Sequence, residues 1–216
     1  MHSAFVRGFN DLLADFLTAP EFAHRLMDKV LEVNIQVARN ALRAGADIIV
    51  LGDNYAGNTG PLFSRAVFEE FVLPRLKRMV DAIHEEGGKA VKHSDGNIWP
   101  LLDLIVDTGI DGINPIEPAA GMDIGEVKQK YGHRVCLIGN IDCSRLLSEG
   151  SVEEVEEAVR ACLRKASTGG GHILASSNSI HSSVKPANYL AMIEATKKYG
   201  KYPIWARAQH ERVPLK

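Results

Sequence analysis

Helix-type and strand-type patterns alternate from one end of this chain to the other, and that alternation restricts the fold more than any other feature. Phe22, Leu26, Val30, Val33, Val37 and Ala41 recur at the spacing of one helical face. Thr18-Ala19-Pro20-Glu21 reads as a capping box with proline in the first turn, and Gly45 as the stop. Residues 48–51, Ile-Ile-Val-Leu, are short and β-branched, which predicts a buried strand ending at Gly52-Asp53. A helix over residues 64–86, bent at Pro74, leads to a strand at 89–93 and a short helix at 99–108. A brief strand at 112–114 runs into Pro115. Asp123-Ile124-Gly125-Glu126 caps a helix to Tyr131, and a strand at 135–138 ends in Gly139-Asn140-Ile141-Asp142. Ser151-Val152-Glu153-Glu154 caps a helix to Ala166, followed by a strand at 172–175 and a polar loop at 176–185. Pro186 opens a last helix with Tyr189, Met192, Ile193 and Thr196 on one face, ended by Gly200.

Strands joined one to the next through helices imply a parallel sheet with right-handed crossovers. No Gly-rich phosphate fingerprint follows a strand, so a dinucleotide-binding fold is the weaker option. With 216 residues and 45% hydrophobic content the chain can bury a sizeable core, and one domain is the default. It is expected to span residues 1–204, with a tail at 205–216 that shows no periodicity. A net charge of −2 points to neither nucleic acid nor membrane surface. Three cysteines without C-x-x-C spacing and no signal-type apolar run suit a cytoplasmic protein.

Polar residues cluster where the strands end, which is where α/β barrels place their chemistry. His93-Ser94-Asp95-Gly96 is the sharpest cluster. Residues two apart on a strand share a side, so His93 and Asp95 can face one pocket. They can ligate a divalent metal such as zinc, act as an acid–base pair, or hydrogen-bond a polar substrate. The plain alternative is a satisfied histidine beside an aspartate that caps the next helix. Asp53, Asn54 and Tyr55 follow the first strand, as substrate contacts or as an Asx turn. Glu117, held between Pro115 and Pro118, is a further metal-ligand candidate or part of a simple turn. Asn140 and Asp142 offer groups to a pocket mouth or to turn chemistry before a helix. Asn178 and His181 lie in the last polar loop. Cys136 and Cys162 read as small core residues, and Cys143 alone stands where a reactive thiol would matter.

Taken in order, Gly52-Asp53-Asn54-Tyr55-Ala56-Gly57, Gly60-Pro61-Leu62-Phe63-Ser64, Phe71-Val72-Leu73-Pro74, His93-Ser94-Asp95-Gly96, Gly139-Asn140-Ile141-Asp142 and the 176–186 loop resemble the C-terminal part of the uroporphyrinogen decarboxylase superfamily. The resemblance covers roughly residues 5–204. It implies an α/β fold of the (β/α)8 TIM-barrel type, incomplete, with about five C-terminal β/α units. It also implies that about three N-terminal strands of the barrel lie outside the match, with the decarboxylases' Arg-rich substrate loop and a key Asp.

The superfamily contains cofactor-free decarboxylases of porphyrin biosynthesis and methyltransferases that use a corrinoid. The thiol-methylating members carry His-x-Cys-Gly and a later Cys around zinc. Here His93 matches the His, Asp95 stands at the Cys position, and Asn178 stands near the later Cys. Decarboxylases carry Asp-Gly without the preceding His, a Ser near Asn54 and a His near Asn178. The chain therefore departs from both patterns. The reading this implies is a methylcobalamin-dependent methyltransferase-like enzyme in which His93 and Asp95 are catalytic. A small-molecule acceptor would be bound by Asp53, Asn54, Tyr55, Asn140, Asn178 and His181. His93, Asp95 and Glu117 would hold a metal, and a corrinoid protein would bring the methyl group. Decarboxylation without any cofactor is the alternative, for which Arg7 and Arg65 are the available arginines. A non-catalytic interaction module is the third reading. An open barrel would also self-associate through its strand edges into a homo-oligomer.

Overall fold

The structure, a computed structural model, describes residues 2–204. The residues divide into two compact units, one running to Asn114 and including Ala120–Met122, the other formed by Pro115–Ala119 and Asp123 onward. The expected tail at 205–216 lies outside the described residues.

In the first unit, three helices come first: α1 (His2–Arg7), α2 (Phe9–Thr18) and α3 (Pro20–Arg43). The first two were not legible as helices, and they overturn the capping box expected at Thr18. Thr18 is the last residue of α2, and its hydroxyl donates to the Ala14 carbonyl at 3.0 Å. A hydroxyl bonded back into its own helix cannot cap the next one. Pro20 instead opens α3 from the uncapped Ala19, since its fixed φ suits a first turn and it lacks the orphan N–H.

Then come β1 (Ile48–Gly52), the two-stranded hairpin β2 (Ala56–Gly57) and β3 (Gly60–Pro61), and the short α4 (Arg65–Val67), capped by the Ser64 hydroxyl. A widened π turn, Phe68–Val72, separates α4 from α5 (Leu73–Glu85). Pro74 stands just after this wide turn, in the first turn of α5, where a missing N–H costs least. β4 (Lys89–His93), a 3-10 turn at Trp99–Leu101, α6 (Leu102–Asp107) and β5 (Gly112–Asn114) complete the unit. β1 pairs with β4 and β4 with β5, both parallel, in a register that sets Gly52 beside His93 and His93 beside Asn114. Strand ends therefore line up, and the loops after them start together.

The core of this unit packs Val80 and Ile83 of α5, Ile105 and Val106 of α6, Ala90 and Val91 of β4, and Ile113 of β5, all buried. β1 differs. The expectation of a buried strand fails there: Ile48 is 51% and Val50 61% exposed. Among the described residues of this unit β1 pairs with β4 alone, and Ile48 and Val50 alternate onto its open face.

The second unit holds α7 (Ile124–Tyr131), β6 (Cys136–Ile141), α8 (Leu146–Glu149), α9 (Val152–Ala166), β7 (His172–Ser176) and α10 (Pro186–Tyr199). β6 and β7 pair in parallel from Leu137 beside His172 to Ile141 beside Ser176. The capping box at Ser151 forms in full, with Glu154 returning its side chain to the cap's backbone. Asp123 caps α7 by accepting from Gly125 and Glu126. The buried stripe of α10 is Asn188, Met192 and Ala195 rather than the face through Tyr189. Asn188 goes inward because its amide donates to Leu147 O at 3.2 Å and Gly150 O at 2.9 Å, satisfying the C-terminal carbonyls around α8. Among the described residues no helix is long and apolar enough to cross a membrane.

Candidate functional site

The parallel register brings the ends of β1, β4 and β5 together, and the polar residues there interlock. Alternation along β4 sends Lys92 and Ser94 to one side, where both are fully buried, and leaves His93 and Asp95 half-buried on the other. Asn54 clamps Asp95 from two directions: its amide donates to Asp95 Oδ2 at 3.0 Å, and its carbonyl oxygen accepts from the Asp95 backbone at 3.1 Å. The Ser94 hydroxyl accepts from Tyr55 N at 2.9 Å and donates to Asp95 O at 3.1 Å. Gly96 closes the turn with φ +83° under the β2–β3 hairpin, where an added Cβ would stand 2.5 Å from Ala56 O.

His93 Nδ1 lies 2.6 Å from Asn114 Oδ1. An amide oxygen only accepts, so the ring proton sits on Nδ1 and Nε2 presents a lone pair. That lone pair faces Asp95 Oδ1 at 3.5 Å, too far for a direct hydrogen bond. Asp95 Oδ1 is itself buried without a hydrogen-bond partner among the described residues. Two acceptors therefore converge with no hydrogen between them. A proton on His93, or an O–H, S–H or N–H from a bound molecule, resolves the conflict.

Beneath this pair is a residue that site reasoning from sequence missed. Lys92 is 0% exposed, and its Nζ donates to Leu51 O at 3.2 Å, Asp53 O at 2.6 Å and His93 O at 2.7 Å. It also sits 3.9 Å from the Tyr55 ring centroid. Burial pushes its pKa well below the ordinary lysine range, while the nearby charge of Asp95 pulls the other way. Three carbonyl acceptors need three N–H donors, so the geometry specifies the charged ammonium. Lys92 thus ties the ends of β1 and β4 together. A lysine alternating with Ala90 and Ser94 on one side of a strand was the available signal. Tyr55, expected as a substrate contact, is instead packed: it is 6% exposed, its ring meets Phe68 at 5.3 Å, and burial raises its hydroxyl pKa.

The second unit treats its polar residues differently. Asn140 donates its amide to Ile116 O at 2.9 Å, and Gly139, at φ +148°, would put a Cβ 2.1 Å from Pro115 O. Asp142 accepts from Ser144 N and Arg145 N in a local turn. Asn178 is exposed and accepts from Ser179 N, and His181 is exposed. Cys143 and Cys162 are buried, and burial pushes the Cys162 thiol up to about 11. His172 is pinned between Ser167 Oγ at 2.7 Å and Gly139 O at 2.8 Å.

The expected metal set of His93, Asp95 and Glu117 is corrected to a pair. Among the described residues no three His, Cys, Asp or Glu side chains are placed to hold a metal ion. His93 Nδ1 is spent on Asn114. Zinc takes three or four protein ligands, so the described residues do not fit one.

A family model described as Uroporphyrinogen decarboxylase (URO-D) matches residues 2–199. Relatives of that name include one from Mannheimia succiniciproducens, 28% identical over 90% of this chain and 53% of its own length. Another, from Coxiella burnetii, is 27% identical over 85% of this chain and 51% of its own length. The chain spans about half the length of the curated relatives it matches. A solved methyltransferase from Methanosarcina mazei superposes with a TM-score of 0.79 over 92% of this chain and 56% of its own, at 23% identity. That likeness concerns the fold, and the fold is α/β of the (β/α)8 barrel type, incomplete.

Proposed function

Because this chain belongs to the uroporphyrinogen decarboxylase family, we propose that the array at the ends of β1, β4 and β5 is the acid–base centre of a methyltransferase-like enzyme. Its substrate is a small molecule with an acidic O–H or S–H. His93 Nε2 removes that proton, and Asp95 Oδ1 orients the group and stabilises the imidazolium formed. The freed electron pair attacks a methyl group carried by methylcobalamin on a corrinoid protein. The new bond joins methyl to oxygen or sulfur, and the electron pair of the broken carbon–cobalt bond stays on cobalt. Two converging acceptors that lack a hydrogen, His93 Nε2 and Asp95 Oδ1, carry the reading. The histidine at this strand end, which the decarboxylase pattern lacks, favours methyl transfer.

The names of the relatives favour decarboxylation as a second reading. There His93 would deliver the proton that replaces the departing carboxyl group. That chemistry needs arginines to anchor a polycarboxylate. Arg7 is engaged with Asp15 at 2.6 Å, and Arg65 with Glu69 and Asp103, both at 2.9 Å. One comparison separates the readings: loss of the methyl group from methylcobalamin with thiol or phenol acceptors, against carbon dioxide release from uroporphyrinogen. Turnover only in the second assay would sink the methyl-transfer reading.

A further inference from the structure

Asn114 ends β5 as His93 ends β4, and the ladder sets the two residues opposite each other. The backbone of Asn114 is held from two sides. Its carbonyl accepts from Ser94 N at 2.9 Å, and Pro115 after it restricts it to extended conformations. The side chain therefore leaves from a fixed point, and its Oδ1 reaches His93 Nδ1 at 2.6 Å. A carboxamide can turn either end toward an imidazole, its accepting oxygen or its donating NH2. The two ends have opposite consequences. The oxygen keeps the ring proton on Nδ1 and leaves Nε2 bare, whereas the NH2 drives the proton to Nε2, where it would point at Asp95 Oδ1. A hydrogen between an imidazole nitrogen and a carboxylate draws the heavy atoms to about 2.7–2.9 Å. The Nε2–Oδ1 separation is 3.5 Å, and Oδ1 has no hydrogen-bond partner among the described residues. The oxygen end therefore faces the ring. Asp95 does not relieve the gap by turning, because Asn54 holds both its Oδ2 and its backbone N–H.

The chemical type of residue 114 matters as well. A carboxylate there would set the same tautomer but would also favour a second proton on the ring, and that proton would fill the gap. A carboxamide sets the tautomer and adds no charge. We propose that Asn114 is the positioning residue of this site: its oxygen holds His93 in the Nδ1–H form, so that Nε2 can only accept. Asn114 acts through His93 alone. Its effect on turnover rests on the acid–base reading above, whereas the tautomer rests on the geometry of the strand ends.

Nitrogen-15 NMR of the imidazoles, recorded on the folded chain at high pH where the rings are neutral, tests this. The chain has eight histidines, and the signals of His93 are identified by their loss in His93→Gln. Bare and protonated ring nitrogens resonate far apart, so the spectrum reads the tautomer directly. The wild-type chain should carry the proton on Nδ1. Asn114→Leu, similar in size but without an acceptor, should move it to Nε2, toward Asp95. Asn114→Asp, whose oxygens only accept, should keep it on Nδ1. In the methylcobalamin assay at the same pH, Asn114→Leu should lose about 10²-fold in kcat with KM within about threefold, and Asn114→Asp should recover at least about tenfold of that loss. A wild-type ring protonated on Nε2 overturns the proposal, and that spectrum decides alone should Asn114→Leu fail to fold. A folded Asn114→Leu chain that keeps the proton on Nδ1 overturns it too. A chain that shows the expected tautomers but no methyl transfer sinks the reaction and leaves the role of Asn114 standing.

Discussion

Both units end parallel strands in polar side chains, yet only one converts them into a candidate site. After β4, backbone groups are served by Ser94 and Lys92, so His93 Nε2 and Asp95 Oδ1 are left over and face each other. After β6, the leftovers disappear: Asn140 serves Ile116 O, and Asp142 serves two amides of its own turn. After β7, Asn178 and His181 are exposed. A polar residue at a strand end thus becomes chemically available when other groups satisfy the backbone around it. A hidden lysine does that work for β4.

The largest effect that would break this comparison is on turnover. His93→Ala should lower kcat by about 10²–10⁴-fold, the usual contribution of a positioned acid or base. Asp95→Asn should fall in the same range, whereas Asn178→Ala and His181→Ala should stay within about threefold, as exposed loop changes do. Steady-state kinetics of the four variants checks this, and equal losses on both sides would erase the distinction between the units. Next comes stability. Lys92→Ala strips a donor from three part-buried carbonyls and empties the space of a fully buried side chain, an expected loss of about 3–5 kcal/mol. Urea unfolding would read it, with Lys92→Arg rescuing little, because its planar fork does not match three carbonyls around one nitrogen.

Much of the framework was legible in the residues themselves. The strands at 89–93 and 112–114 and the full capping box at Ser151 follow from local periodicity and cap chemistry, which need no distant partner. The side-by-side placement of His93 and Asp95 was equally local, since it depends only on strand alternation. What escaped was whatever a distant partner decides. Asn54 and Asp95 are 41 positions apart, and their reciprocal clamp exists only through the β1–β4 register. β1 looked buried because its residues are apolar, but burial also requires a neighbour, and composition cannot supply one.

Smaller effects sharpen the comparison from the second unit's side. Asn188→Ala should cost about 1 kcal/mol by removing the amide that joins Leu147 O and Gly150 O, each of which keeps a bond from Lys185. Turnover should be unaffected, since Asn188 braces the helices rather than the strand ends. Differential exchange in α8 would report the loss.

The smallest effect expected is on the pH dependence of stability, and His172 sets its sign. Burial holds its pKa below the ordinary imidazole value of about 6.5, with the hydrogen bond to Gly139 O opposing that shift. The unfolded chain therefore takes up a proton at a higher pH than the folded chain. The folded state keeps its full stability above about pH 6.5 and loses it progressively as pH falls toward the lowered value. His172→Gln should flatten that stretch of a melting-temperature profile. If the slope survived in the His172→Gln protein, His172 would not be the proton-sensitive group of the second unit, and its hydrogen bonds to Ser167 and Gly139 would be bracing alone.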